Sequence, residues 1–158
     1  MYCSLKDFED LYNLLTNKDL VGDITDDNTR NIYMVTKHLL SSPNVIVLMP
    51  TTGTGFTFTS INSIMYEAHL VTTQKEKKNV YENTLKAAKW IKDNTPIEIL
   101  VSHIPVTCGS TLYYAGKIGM EYVGTLNGGY LKNGERIDVI IKSCTVDEII
   151  RRLTWRQQ

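Results

Sequence analysis

Tyr66-Glu67-Ala68-His69-Leu70-Val71-Thr72, together with residues 73–105 that follow it, decides how this chain folds. The stretch alternates with the period of two that a half-buried strand shows, so it puts Glu67 and His69 on one face and Tyr66, Ala68 and Leu70 on the other. A polar, basic loop follows from Thr73 to Lys78. Val80, Tyr81, Thr84, Leu85, Ala87, Ala88 and Ile91 then recur at helical spacing, with Lys86, Lys89, Lys92 and Asp93 on the outer side. Asn94-Thr95-Pro96 ends this helix, because the residue before a proline is pushed out of the α region. Ile97 to Ile104 is apolar enough for a strand buried on both faces, His103 included as a core histidine. Strand, helix and strand make a βαβ unit, two parallel strands joined by a right-handed crossover.

Outward from this unit the pattern continues on both sides. Ser4 to Asp7 has the form of a helix start, and Leu5, Phe8, Leu11, Tyr12, Leu14 and Leu15 form the apolar stripe of a helix running to about Asn17. Gly22 to Arg30 reads as an acidic loop, and Asn31 to Leu40 as a second helix. Asn44–Met49 and Gly55–Ile61 read as antiparallel strands across a turn at Pro50–Thr54, with the Met65 strand completing a three-stranded meander. Beyond Pro105, Ser110–Ile118 reads as a helix ended by Gly119. Tyr122–Leu126 and Ile137–Ser143 are two more strands, joined by a turn-rich segment from Gly128 to Gly134, and Asp147–Leu153 is a last helix. The expected class is α/β (α+β), one domain over residues 1–158. Its sheet is mixed and mostly antiparallel, of six or seven strands, with helices on both faces.

At 158 residues the chain is long enough to bury roughly two thirds of its unfolded surface. Lys+Arg and Asp+Glu both count 17, so no net field draws the whole molecule to nucleic acid or an anionic membrane. The charge is uneven locally. The first thirty-one residues hold seven acids and three bases, whereas Lys75, Lys77 and Lys78 crowd one loop and Arg151, Arg152 and Arg156 the tail. No apolar run approaches the ~20 residues of a membrane span, and Met1-Tyr2-Cys3-Ser4 is no signal peptide. A soluble protein of the cytoplasm is expected. Cys3, Cys108 and Cys144 are widely spaced, with no CxxC and no histidine at ligand spacing, so they read as reduced thiols and no metal is expected.

Ile104-Pro105, eleven residues on Lys117-Ile118-Gly119-Met120, then Gly124, Leu131-Lys132-Asn133-Gly134 and Asp138-Val139-Ile140-Ile141, resemble the C-terminal half of the GCN5-related N-acetyltransferases. Glu67-Ala68-His69, and Tyr114-Ala115 ahead of Lys117, look most like the diverged acetyltransferase-like proteins of tailed bacteriophages. The likeness covers residues 44–143. It implies acetyl-coenzyme A as cofactor, bound by the Leu70, Val71 and Thr72 backbone. Its pyrophosphate would lie at Lys75, Lys77, Lys78, Asn79 and Val80, where the start of a helix favours an anion. Gln74 to Val80 departs from the family loop in having no glycine. Ala115 stands where the family often has a tyrosine, proposed there as the acid for the leaving thiolate. Tyr114 is the neighbouring hydroxyl, turned about 100° round the helix.

Acyl transfer to an amine needs a base for the ammonium proton, donors for the thioester oxyanion and an acid for the thiolate. Glu67 and His69 are the base candidates, and the Leu70 or Val71 N–H supplies the oxyanion donor that the resemblance implies. Two readings stand side by side. One is an N-acyltransferase moving an acetyl group to an unidentified amine; the other is an inactive acetyltransferase fold used as a virion or assembly component, with phage structural proteins as partners. On the second, Glu67 and His69 are a hydrogen-bonded pair on a sheet surface.

Overall fold

The computed structural model describes residues 5–20, 26 and 31–156, with side chains from residue 8 onward. Chain order is α1 (Leu5–Leu15), α2 (Ile32–Ser41), β1 (Val45–Thr51), β2 (Thr54–Ser60), β3 (Met65–Thr72), a 3₁₀ helix (Gln74–Asn79), α3 (Val80–Asn94), β4 (Ile99–Pro105), α4 (Gly109–Ile118), β5 (Glu121–Lys132), β6 (Glu135–Thr145) and α5 (Val146–Trp155). The expected cap at Ser4, the side chains through Asp7 and most of the Gly22–Arg30 loop lie outside the described residues. Asn31 caps α2, its side-chain oxygen accepting from the Met34 N–H at 3.1 Å.

The described strands form one six-stranded sheet in the order β1-β2-β3-β4-β6-β5. β3 and β4 are its parallel pair, and the other neighbours are antiparallel. The parallel contact is short: Met65↔Ile99, Tyr66↔Leu100 and Glu67↔Val101. β3 nevertheless stays paired with β2 as far as Thr72, and β4 with β6 as far as Pro105. Each strand is held by its outer neighbour while the two part from one another, so the sheet opens as a fork between them.

Alternation sorts the side chains into two layers. Leu48, Phe56, Phe58, Leu100 and Ile104 face Leu85, Ala88 and Ile91 of α3, Ala115 and Ile118 of α4, and Ile149 and Leu153 of α5. On the opposite face Leu11 and Leu15 of α1 pack with Val47, and Leu39, Leu40 and Val71 lie against them. Gly119, at φ 106°, ends α4 in the left-handed region that its missing Cβ permits.

Three stretches differ from expectation. Pro50 belongs to β1 and the turn is only Thr52-Gly53, since Thr51 already pairs with Thr54; β1 is an edge strand with a register shift there, which is where a strand tolerates proline. The basic segment 74–79 is a 3₁₀ helix running straight into α3. Gly128–Lys132 belongs to β5, and the turn is Asn133-Gly134, both at positive φ. Gly128, at φ 61°, sits in a bulge between Leu126 and Tyr130, with its N–H donating to Asp138 Oδ1 at 2.7 Å.

A buried polar chain fixes α3 relative to the fork. Asn83 Nδ2 donates to Thr54 Oγ1 at 3.2 Å, and Thr54 Oγ1 lies 3.1 Å from Thr72 Oγ1 at the end of β3. Asn83 and Thr54 are fully buried, so truncating one leaves the other unsatisfied. Asn83→Ala should therefore cost about 1–3 kcal/mol in urea unfolding; a loss within ~0.5 kcal/mol, the range of ordinary surface changes, would show that the chain of bonds does not hold α3.

Candidate active site

Backbone direction on the two parting strands follows from the hydrogen bonds at their ends. Thr73 N–H donates to the Gly53 carbonyl at 2.9 Å and Ile61 N–H to the Met65 carbonyl at 3.0 Å, so the odd-numbered residues of β3 turn their peptide groups to β2. Ala68, Leu70 and Thr72 turn theirs toward β4. Ser102 Oγ donates to the Ala68 carbonyl at 2.9 Å and bridges the base of the fork. Beyond that bridge the Leu70 and Thr72 peptide groups are directed into the opening.

Side chains alternate with the peptide groups, and Glu67 and His69 come together as expected, on the α1 side of the sheet. His69 Nε2 is 3.3 Å from Glu67 Oε1. A third group joins them: His103 Nδ1 lies 2.8 Å from the same oxygen. His103 is thus no core histidine. Its side chain is 34% exposed, and it sits two residues past Val101, the register partner of Glu67. The odd positions Ile99, Val101 and His103 share the face of Glu67, so the alternation of β4 combined with a parallel β3–β4 pair carried the signal.

Both imidazoles act on Glu67. Its carboxyl is held down to about 2, chiefly by the hydrogen bond from His69, with His103 adding to the effect and partial burial opposing it. The His103 contact is the shorter of the two, yet His69 contributes more. A carboxylate this acidic is a weak base at neutral pH, and it is suited to orienting an imidazole. Among the described residues no group of three His, Cys, Asp or Glu side chains is arranged to hold a metal ion.

Tyr114 is placed elsewhere. Its hydroxyl lies 2.5 Å from Thr84 Oγ1, its ring stacks on Tyr81 at 5.8 Å, and burial raises its proton affinity above that of an ordinary tyrosine. It ties α4 to α3. Cys108 opens α4, partly buried against the core, and the Cys144 thiol is pushed up to about 12 by burial.

At the start of α3, Lys75, Lys77 and Lys78 are exposed. The side chain of Asn79, the residue preceding the helix, donates to Glu76 Oε2 at 3.2 Å. Glu76 lies against Gly53, where an added Cβ would come within 2.6 Å of Glu76 Cγ. One carboxylate therefore already stands at the positive end of α3. Thr72 Oγ1 is engaged by Thr54. Leu70 packs against the core and Val71 against the α1 layer. What Leu70 and Thr72 offer a ligand is their backbone; the Val71 peptide groups turn to Gly55 of β2, so the Val71 N–H expected as an alternative oxyanion donor is directed away from the fork.

A sheet with one short parallel pair that splays apart, a crossover helix behind it and helices on both faces is the fold of the GCN5-related N-acetyltransferases. No family model matches the sequence, and no curated protein resembles it in sequence. Solved structures do match in three dimensions. Mycobacterium smegmatis RimJ in complex with CoA-disulfide superposes with TM-score 0.75 at 8% identity, over 99% of this chain and 87% of that one. Spermidine N-acetyltransferase from Vibrio cholerae, in complex with CoA and spermine, gives 0.75 at 12%, over 95% and 96%. The microcin C7 self-immunity acetyltransferase MccE, in complex with acetyl-CoA and AMP, gives 0.71 at 18%, over 92% and 90%. At these identities the likeness is one of fold.

Glu67 titrates in the fold at about 2 against an ordinary 4.5, so its ionised form stabilises the protein above the higher value, and that contribution disappears as pH falls toward the lower. The gap in unfolding free energy between wild type and Glu67→Gln should be about 1–2 kcal/mol near pH 5, after allowance for its partial exposure. It should shrink steadily toward pH 2–3. A gap that stays constant with pH would show that the two histidines do not hold the carboxylate.

Proposed function

We propose that this protein transfers an acetyl group from acetyl-coenzyme A to an amine, with the thioester lying in the fork between β3 and β4. The observation that carries this reading is the cluster Glu67, His69 and His103 standing beside that fork. The three structures named above were each solved with coenzyme A, its disulfide or acetyl-CoA, and one also with spermine, which supports the choice of cofactor and an amine as acceptor. On this reading His69, the most exposed of the three side chains, takes the ammonium proton directly or through water, and Glu67 orients it. The amine nitrogen then attacks the acetyl carbon as the carbon–sulfur bond breaks. The Leu70 N–H, directed into the fork, stabilises the oxyanion, while the Thr72 backbone lines the approach. With Tyr114 bonded to Thr84, the departing thiolate takes its proton from solvent.

On this reading Lys75, Lys77 and Lys78, with the amides at Asn79 and Val80, meet the pyrophosphate. Glu76 at the same helix end opposes it by charge. This carboxylate, in a segment without glycine, favours a second reading: a fold kept for a protein partner, such as a phage structural protein, with no turnover.

Thiol release from acetyl-CoA, measured against polyamines, aminoglycosides and peptide amines, separates the two. On the enzymatic reading His69→Gln lowers turnover by ~10²–10⁴ and leaves coenzyme A affinity unchanged. Absence of turnover with every amine, together with no binding at millimolar coenzyme A, removes the enzymatic reading.

Charge reversal at the three lysines gives a separate check. Lys75→Glu, Lys77→Glu and Lys78→Glu combined should weaken coenzyme A binding by calorimetry much more at low salt than at high salt, because exposed charges are screened. Unchanged affinity in the triple variant would take the lysines out of the site.

A further inference from the structure

One carboxylate oxygen serving two imidazoles is more than orienting a single base requires. Glu67 Oε1 lies 3.3 Å from His69 Nε2 on its own strand and 2.8 Å from His103 Nδ1 across the base of the fork. His69 is the more exposed imidazole, with 51% of its side chain open against 34% for His103. His69 and His103 are also the two side chains that lower the proton affinity of Glu67. On the sheet, Glu67 and His69 stand opposite Thr59 and Thr57 of β2, and His103 opposite Ile141 of β6. Lys142 pairs with Ser102 and reaches toward Gly116 of α4 on the other face. α1, which packs over β2 and β3, brings Glu9, Asp10 and Tyr12 among its described side chains.

We propose that His103 is a positioning residue for the base: it holds Glu67 Oε1 from the β4 side of the fork and takes up part of the carboxylate's hydrogen bonding, so that His69 is oriented by Glu67 yet free to accept the proton of an attacking amine. The role rests on the acyltransferase reading. Alone with His69, an ionised carboxylate would hold a proton on that imidazole firmly. A second donor on the same oxygen weakens the hold. If His103 is itself charged, its repulsion acts in the same direction, so the sign does not depend on the protonation state of the ring. The shared oxygen also couples the two strands of the fork, so the base stays in register with the gap it serves.

The test is an NMR titration of the His69 imidazole in wild type, His103→Leu and His103→Asn, the last keeping a donor near the Nδ1 position. Loss of His103 in the leucine variant should raise the His69 midpoint by roughly half to one pH unit. Asparagine should bring it back toward wild type. The acid limb of kcat/KM should move with the midpoint while KM for acetyl-CoA stays unchanged. An unmoved midpoint in the leucine variant overturns the proposal, whether or not any amine is acetylated. A moved midpoint with no turnover in wild type overturns the acyltransferase reading and the positioning role with it. Should the leucine variant fail to fold, wild type decides: two imidazoles joined through one carboxylate show each other's titration steps, and independent single-step curves overturn the coupling.

Discussion

Everything in this structure depends on how short the parallel contact between β3 and β4 is. Three residue pairs join the strands, and after Glu67↔Val101 each strand continues only with its antiparallel neighbour. Backbone N–H and C=O groups require partners, and those of Leu70 and Thr72 are directed into the gap. The gap is not a loose end of the sheet. Asn83, Thr54 and Thr72 tie β3 to α3, Ser102 bridges to Ala68 at the fork's base, and β6 holds β4 along its full length.

The same register that ends the pairing assembles the chemistry. Because the strands run parallel, His103 arrives beside Glu67 from a different strand, and both histidines meet one oxygen on the face away from α3. Around the corner, at the start of α3, three exposed lysines stand beside Glu76, whose carboxylate accepts from the Asn79 side chain at the helix end. The two halves of the proposed site thus differ in character: the fork has a Glu67 carboxylate shared by two imidazoles, while the start of α3 sets a carboxylate, Glu76, among its lysines. Tyr114 spends its hydroxyl on Thr84, which keeps α3 and α4 together.

Much of this was legible in the residues. The period-two run at Tyr66–Thr72, the helical spacing from Val80 to Ile91 and the apolar stretch after Pro96 define the βαβ unit, and strict alternation alone places Glu67 with His69. Boundaries failed where a rule has an exception: Pro50 stays in a strand because that strand is at the edge, and Gly128-Gly129 makes a bulge where glycines usually signal a turn. His103 was missed for a different reason. Its apolar neighbours suggest a core position, and only the register between two strands thirty-odd residues apart, a tertiary property, brings it to Glu67. Glu76 of the 74–79 segment lies likewise against Gly53, a contact between elements that local pattern does not record.

The central claim is that the fork between β3 and β4 is a coenzyme A site. Amide NMR of the full chain, titrated with coenzyme A up to millimolar concentration, tests it most directly. The claim requires the largest shifts at Leu70, Thr72, the 74–79 segment and the first turn of α3, with His103 responding across the gap. Shifts confined to other surfaces, or none at saturation, would contradict it.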